Sequence, residues 1–551
     1  MAELMTKNVF RRTLASITAT ILPDTSYTTL LELVKSGVTL FRINLSHFTP
    51  DSKDQWKETI RSITKISESV GVILGIMLDT EGPEFRINKL KVHTGVEQIG
   101  NKQRPYLDYG KNELQLKLTP DDNPTELCDE NTIAVKAPAE AEFLSLGEKL
   151  VVFRDGNDRA KILSIGSDGK SMRIQPERKF RIWERVKVNF PGIAINADPI
   201  SQKELNAIWF FVRDSYVPTE PKPNFMFAQS FVKSSKDVVK FHGLLDGFGL
   251  HNPIIIAKIE TYESSLYENL AEIVKEASAI MIARGDLANE TSRQQVPRLQ
   301  RRIIKAAKKK GKPVLLATQI YNSMTEPETF HCTRPEAEDV RSALELGVDG
   351  FVLTEETTKR PDPETVVKAL VSQIADDEKE LINGDHYFQL RTPLQQQFQQ
   401  QMRHSMSKAT LSPEKQRWLG TTDFAIAAVF RANTYRAIGI FPLTIGGATV
   451  REMSQFYPET EIYALTRSME TAQRLLLYRC AHPILFKIDA EELQGFSVDD
   501  LKTLVHNVVD TLDLREKKSH SKYAIGTMAH PPLQPGGTDI LLRIRIGFVG
   551  E

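Results

Sequence analysis

Cysteine is scarce in this sequence: Cys128, Cys332 and Cys480 stand far apart in a chain of 551 residues. An odd, scattered set excludes a disulfide framework and offers no metal-ligand spacing, so the thiols are expected to be reduced. Net charge is missing too, with 71 Lys+Arg against 71 Asp+Glu. That balance gives no general attraction to nucleic acid or to a membrane surface. No apolar run reaches the length of a bilayer span. The stretch Met1 to Arg12 is too polar for a secretory signal. These absences leave a cytoplasmic α/β protein, with neither nucleic acid nor membrane as partner, as the expectation.

What is present is a repeated unit. The chain is too long for one core, so two to four domains are expected. Two fully apolar runs organise it, Ile254 to Ile259 and Ile280 to Ala283. Strands apolar on both faces belong to buried parallel sheets. Similar strands are expected at Ser16–Ile21, Val38–Leu45, Val72–Leu78, Phe225–Ala228, Pro313–Ala317 and Gly350–Leu353. Helical periodicity lies between them, as in Trp56, Ile60, Ile63 and Ile66, and at 203–214, 235–245, 264–277, 296–310, 335–346 and 363–382. Eight such units predict a (β/α)8 barrel, with an open doubly wound sheet as the other arrangement of the same pattern.

The alternation breaks over residues 88–188. Short strand-like runs there (113–118, 149–153, 161–164, 171–174) are separated by turns such as Asp155-Gly156-Asn157-Asp158, which predicts an inserted all-β domain. The barrel is thus read as residues 1–87 and 189–385. A Gln-rich connector, helical or flexible, is expected over 386–420, and a C-terminal α/β domain over 421–551.

Barrel enzymes keep their chemistry at the C-terminal strand ends. Those ends carry Arg42, Asn44 and Ser46; Asp79, Thr80, Glu84 and Arg86; Ser230 and Lys233; Lys258 and Glu260; Arg284, Gly285 and Asp286; Thr318 and Gln319; Glu355 and Glu356. Glu260 and Asp286, from adjacent strands, offer two hard oxygen ligands of the kind that suit Mg²⁺ or Mn²⁺. Arg42, Arg86 and Lys258 are the cations for a phosphorylated anion. Metal and cations around one pocket point to phosphoryl transfer. The other reading, salt bridges capping a barrel rim, suits any one of these residues better than all of them together.

At these residues the chain resembles pyruvate kinase. The resemblance rests on Phe41-Arg42-Ile43-Asn44-Leu45-Ser46-His47, Leu78-Asp79-Thr80-Glu81-Gly82-Pro83-Glu84-Phe85-Arg86, Val188-Asn189-Phe190-Pro191-Gly192, Ser230-Phe231-Val232-Lys233, Ala257-Lys258-Ile259-Glu260, Ala283-Arg284-Gly285-Asp286-Leu287 and Ala317-Thr318-Gln319, in family order. It implies phosphoryl transfer from phosphoenolpyruvate to ADP, giving pyruvate and ATP. It also implies Mg²⁺ (or Mn²⁺) on Glu260 and Asp286, and K⁺ on Asn44, Ser46, Asp79 and Thr80, with Glu84 the residue type that accompanies K⁺ dependence. Arg42 would hold the substrate phosphate. Lys258 would stabilise the moving phosphoryl group and the enolate. The backbone at Gly285 and Asp286, with the Thr318 hydroxyl, would hold the substrate carboxylate, and Thr318 would join the route that protonates the enolate. His47, Arg86, Lys187 and Lys359 would lie near the nucleotide. The insert would be a lid, the assembly a homotetramer and the compartment cytoplasmic.

The sequence departs from the family pattern at Leu22, Glu81, Ala288-Asn289 and Thr354-Glu355, around an intact set of metal carboxylates, Lys258, Arg42 and Thr318. Ala288 stands where glycine is usual, so backbone strain is expected there. The C-terminal loops Leu443 to Thr449 and Pro532 to Gly537 lack most of the donors that hold a sugar bisphosphate activator in the family, so activation by fructose 1,6-bisphosphate is expected to be weak or absent. The altered surroundings motivate a second expectation, a catalytically weakened homologue acting as a regulatory or structural subunit. A third is another metal-dependent barrel enzyme acting on an enolate.

Overall fold

The computed structural model describes residues 3–9, 13–83, 85–99, 102–120, 127–137, 141–145, 150–153, 158–190, 194–196, 200–215, 225–406, 413–489, 492, 495–517, 521–529 and 540–546. Glu84, Pro191-Gly192 and the loop 532–537 lie outside them. The centre is a closed barrel of eight parallel strands: β1 (Ser16–Ile21), β2 (Leu40–Asn44), β3 (Gly75–Asp79), β4 (Phe225–Gln229), β5 (Ile254–Ile259), β6 (Ala279–Ala283), β7 (Val314–Ala317) and β8 (Gly350–Leu353). β1 pairs with β8 and closes the ring, which excludes the open sheet. β1, β3, β4, β5, β6, β7 and β8 are buried along their whole length. β2 differs: Arg42 and Asn44 alternate with buried neighbours, which sends both to one face.

The helices follow the sequence periodicity with two revisions. The helix expected over 264–277 is two pieces, Tyr262–Ser265 and Tyr267–Glu276, because Leu266 takes an extended conformation between them. The helix expected over 203–214 ends in a π-turn, Phe210–Asp214.

Between β3 and the helix Gln202–Trp209 the chain builds a second, closed β-barrel. Its strands are Phe85–Ile87, Leu114–Pro120, Thr132–Ala137, Leu150–Phe153, Asp158–Ile165, Ser171–Pro176 and Lys187–Asn189, with a three-stranded sheet beside it. Its first and last strands pair with each other, Lys187 opposite Arg86, so both connections to the central barrel sit side by side. It has its own core, including Leu116, Ile133, Phe153, Ile174 and Ile182.

The Gln-rich stretch is helical over His386–Met406, and a second helix runs Pro413–Thr434. The C-terminal sheet contains β9 (Ile440–Pro442), β10 (Ile462–Thr466), β11 (Ala481–Lys487), β12 (Tyr523–Met528) and β13 (Ile540–Arg545), in the order β11-β10-β9-β12-β13. β12 and β13 form an antiparallel pair. The sixth strand comes from the other end of the chain: Glu3–Leu4 pairs antiparallel with β11 along its free edge.

Candidate active site

The C-terminal ends of the barrel strands open into a pocket of about 570 Å³ lined by Arg42, Asn44, Ser46, Asp79, Thr80, Arg86, Lys258, Asp286 and Thr318, among others. On the β2 side, Asn44 Oδ1 accepts from the Ser46 N–H at 3.1 Å and caps the short turn Leu45–His47. Asp79, fully buried at the end of β3, accepts from Arg42 Nε at 2.5 Å and lies 3.1 Å from Lys258 Nζ. Arg42 also donates to Thr20 Oγ1 at 2.9 Å. Burial alone would raise the Asp79 carboxyl; Arg42 and Lys258 outweigh it and hold it below its ordinary value.

Lys258, 9 % exposed, projects from the end of β5 among acceptors. Its ammonium donates to Ser230 Oγ at 2.6 Å and lies 3.5 Å from Glu260 Oε2. Burial would strip its proton, but Asp79 and Glu260 prevail and raise its pKa above the ordinary lysine value. Glu260 is completely buried, and desolvation with the nearby Asp286 pushes its carboxyl up. Its Oε1 accepts from the Phe231 N–H at 2.6 Å, while Oε2 is buried without a hydrogen-bond partner. Phe231, in the left-handed region (φ 52°), turns its N–H toward that carboxylate. Sequence periodicity carries no signal for this turn.

Asp286 stands in the first turn of the short helix Arg284–Glu290 after β6. The last strand of the inserted barrel reaches it: Lys187 Nζ donates to Asp286 Oδ1 at 2.5 Å, and Asn189 Nδ2 donates to Glu290 Oε1 at 3.2 Å. Asp286 is held below its ordinary value despite its burial, with Lys187 the main opposing cause. The Gly285 N–H donates to Thr318 Oγ1 at 3.0 Å, so an amide and a hydroxyl stand together at the pocket wall. Thr318 (φ 68°) and Gln319 (φ 54°) are both left-handed. Arg284 holds them there. It donates to the Thr318 carbonyl at 3.2 and 2.8 Å and to the Gln319 carbonyl at 2.7 Å, and pairs with Asp339. The Arg284 side chain therefore braces the loop after β7. Ala288 has no left-handed φ, so the expected strain is absent: the helix runs through it in ordinary geometry.

Arg86 lines the pocket and donates to the Arg185 carbonyl at 3.1 Å, within the inserted β domain. His47 is exposed on the turn after β2, its pKa lowered by partial burial and by Arg42. Lys359 is not among the lining residues; it is exposed and pairs with Glu355 at 2.6 Å. Two carboxylates that strand-end reasoning missed or misjudged prove to be fasteners. Glu356, 1 % exposed, accepts from the Ile320 and Thr354 N–H groups at 3.0 and 2.7 Å, joining the ends of β7 and β8. Glu204 does similar work between the two connections to the inserted domain; the Ser201-x-x-Glu204 capping pattern was its only sequence signal.

Among the described residues no three His, Cys, Asp or Glu side chains are arranged around a common metal position. A two-carboxylate site whose buried Glu260 Oε2 accepts no hydrogen bond, with only the Lys258 ammonium 3.5 Å away, fits a hard divalent cation that keeps waters and adds substrate oxygens. No helix of the described residues is long and apolar enough to cross a membrane.

A family model described as pyruvate kinase, barrel domain, matches residues 10–367, and one described as pyruvate kinase, alpha/beta domain, matches 423–543. A pyruvate kinase of Staphylococcus haemolyticus is 26% identical over 546 residues, covering 97% of this chain and 80% of its own. Pyruvate kinase 2 of Synechocystis sp. is 28% identical over 484 residues, covering 88% and 72%. The crystal structure of a pyruvate kinase from Cryptosporidium parvum has the same fold, with a TM-score of 0.76 at 22% identity, covering 97% of this chain and 96% of that one. The barrel-domain match alone spans well over half the sequence: the chain belongs to the pyruvate kinase family.

Proposed function

We propose that this chain transfers the phosphoryl group of phosphoenolpyruvate to ADP, giving pyruvate and ATP. The observation that carries the reading is Lys258, a buried and fully charged ammonium held by Asp79, Glu260 and Ser230 within the pocket that Arg42 and Thr318 also line. A cation fixed on a strand end needs no reorganisation when charge develops, which is how electrostatic catalysis is delivered.

In this reading Arg42 and Lys258 hold the substrate phosphate. Lys258 then stabilises the leaving enolate oxygen as the phosphorus–oxygen bond breaks and the ADP oxygen bonds to phosphorus. The Gly285 N–H and the Thr318 hydroxyl, 3.0 Å apart, receive the substrate carboxylate, and Thr318 Oγ1 lies on the route by which the enolate carbon gains its proton. Glu260 and Asp286 would hold Mg²⁺ or Mn²⁺, which supplies charge neutralisation between the two anionic substrates. Asn44, Ser46, Asp79 and Thr80 line the same pocket and would hold K⁺. His47, Arg86 and Lys187 are proposed near the nucleotide, with Lys359 reaching it only by leaving Glu355. Domain limits near residues 88, 188, 385 and 420, a cytoplasmic setting and a homotetramer complete the reading.

The test is phosphoryl transfer from phosphoenolpyruvate to ADP with Mg²⁺ and K⁺, run beside Lys258→Met. Turnover is expected in the parent and a fall of about a thousandfold in the variant. A folded parent without turnover rules out the reaction. A variant as active as the parent rules out the role of Lys258.

A further inference from the structure

We infer that Glu204 is a positioning residue that pins the outgoing and returning lid connections to one point, fixed relative to Lys258. The chain leaves the central barrel after Thr80 and re-enters it before the helix Gln202–Trp209. Glu204 sits in the first turn of that helix and is 2 % exposed. Its Oε1 accepts from the Glu81 and Gly82 N–H groups at 2.7 and 3.0 Å. Its Oε2 accepts from the Ser201 N–H and the Ser201 hydroxyl at 2.8 and 2.7 Å. One carboxylate thus takes four hydrogen bonds, its full capacity, two from each connection. Charge-assisted bonds of this kind are the strong ones, and burial keeps water from replacing them.

An ordinary helix cap explains only half of this. The Ser201–Glu204 pair is a capping box, and a capping box uses the bonds at Ser201. The second oxygen is directed at a different segment. Two other helices of this chain close the same box with aspartate, Ser234 with Asp237 and Ser497 with Asp500. The extra methylene of Glu204 is what reaches across to the outgoing connection.

From that connection a short series of bonds runs to the site. The Ser230 N–H donates to Thr80 Oγ1 at 2.8 Å, the Ser230 hydroxyl donates to the Thr80 carbonyl at 2.5 Å, and Lys258 Nζ donates to the same hydroxyl oxygen at 2.6 Å. Gly82 (φ 74°) packs its Cα against Ser230 and Phe231, where a Cβ would meet the Phe231 ring at 2.6 Å. The pivot and the catalytic lysine therefore share one set of contacts. A lid that swings about this point returns to one geometry over Lys258. This inference rests on the insert acting as a lid over the proposed reaction.

The test uses Glu204→Asp and Ser201→Ala in the full chain. Glu204→Asp keeps the capping box and withdraws the oxygen from Glu81 and Gly82. Ser201→Ala weakens the cap and leaves that oxygen in place. Peptide-resolved hydrogen exchange reads the amides of residues 80–83 and of 202–209, and steady-state kinetics separates kcat from KM. Glu204→Asp is expected to speed exchange over 80–83 by at least about tenfold, the factor carried by one lost charge-assisted bond. It is also expected to lower kcat, with exchange over 202–209 unchanged. Ser201→Ala is expected to speed exchange over 202–209 only. Unchanged exchange at 80–83 in Glu204→Asp, or an equal rise there in both variants, overturns the pivot. The exchange measurement does not depend on turnover, so absence of the proposed reaction is seen separately.

Discussion

Arg284→Met separates positioning from stability at the loop after β7. In the folded protein the guanidinium fixes the carbonyls of Thr318 and Gln319, the two consecutive residues with left-handed φ. Such a conformation costs on the order of 1–3 kcal/mol per residue, and more readily for a β-branched threonine than for glycine. Two strained residues therefore oppose folding by about 2–6 kcal/mol. Hydrogen bonds from a charged donor contribute about 1.5–3 kcal/mol each, so two fixed carbonyls supply about 3–6 kcal/mol. The two terms nearly cancel. Removing Arg284 releases the strain together with the bonds, and Asp339, about two-fifths exposed, is left solvated. Stability is expected to change by less than about 2 kcal/mol in urea unfolding. Thr318, no longer held, carries its hydroxyl away from the Gly285 N–H, and a displacement of about 1 Å costs about a hundredfold in rate. The signature is thus a large fall in kcat/KM for phosphoenolpyruvate with a nearly unchanged denaturation midpoint. A variant that loses the full value of its hydrogen bonds in stability while turning over normally would refute the reasoning, because Arg284 would then be bracing an unstrained loop.

Two further perturbations test the lid and its junction. Gly82→Ala places a Cβ at 2.6 Å from the Phe231 ring in a left-handed backbone, a combination costing about 2–4 kcal/mol; kcat should fall at least about tenfold, and wild-type turnover would show that the hinge tolerates the shift. Glu290, in contact with the inserted domain through Asn189, is pushed up to about 7 by burial from an ordinary 4.5. A raised acid favours its protonated form in the fold, so the penalty of its charge is absent below about pH 4.5 and complete above about pH 7. Glu290→Gln should therefore be more stable than the parent by about 1–2 kcal/mol at pH 8, discounted for partial exposure, and equal to it near pH 4.5; a difference independent of pH would rule out the buried charge as its cause.

Most of the barrel strands, Ile254–Ile259 and Ala279–Ala283 above all, were legible because parallel strands buried on both faces leave apolar runs. The ring of charges was legible for the same reason: a charged residue at the end of such a run has nowhere to go but the rim. The inserted β domain was less so. Lys102–Tyr109 is the central strand of its three-stranded sheet, yet it holds Pro105 and several charges, a composition that argues for a turn. The connector shows the reverse. Its glutamines suggest a flexible segment, but Leu390, Leu394 and Phe398 recur at helical spacing, and that stripe packs on the protein. Within the site, residue types were readable and directions were not. Arg284 could be read as a brace of the barrel rim or of a subunit contact, but that it turns to the carbonyls of the Thr318 loop is visible only in the structure. Phe231 and Thr318 owe their roles to left-handed backbone, which neither residue type announces. Glu204 could be read as a cap, but the second segment it holds is more than a hundred residues away in sequence.

The strand at Glu3–Leu4 imposes an order of events on folding. Its partners are Phe486 and Lys487, and the bonds continue inward from Met5 and Thr6 to Leu485 and from Cys480 to Leu14. Residues 3–4 must therefore wait for a segment more than 480 positions further along the chain before they can pair. Until then the free side of β11 is an open template for any other extended chain. A C-terminal domain cut out at residue 413 would carry that open side permanently, and self-association of such a fragment is the expected result. The pairing of Glu3–Leu4 with β11 encloses the central barrel in one chain loop, closed by contacts of very high sequence separation.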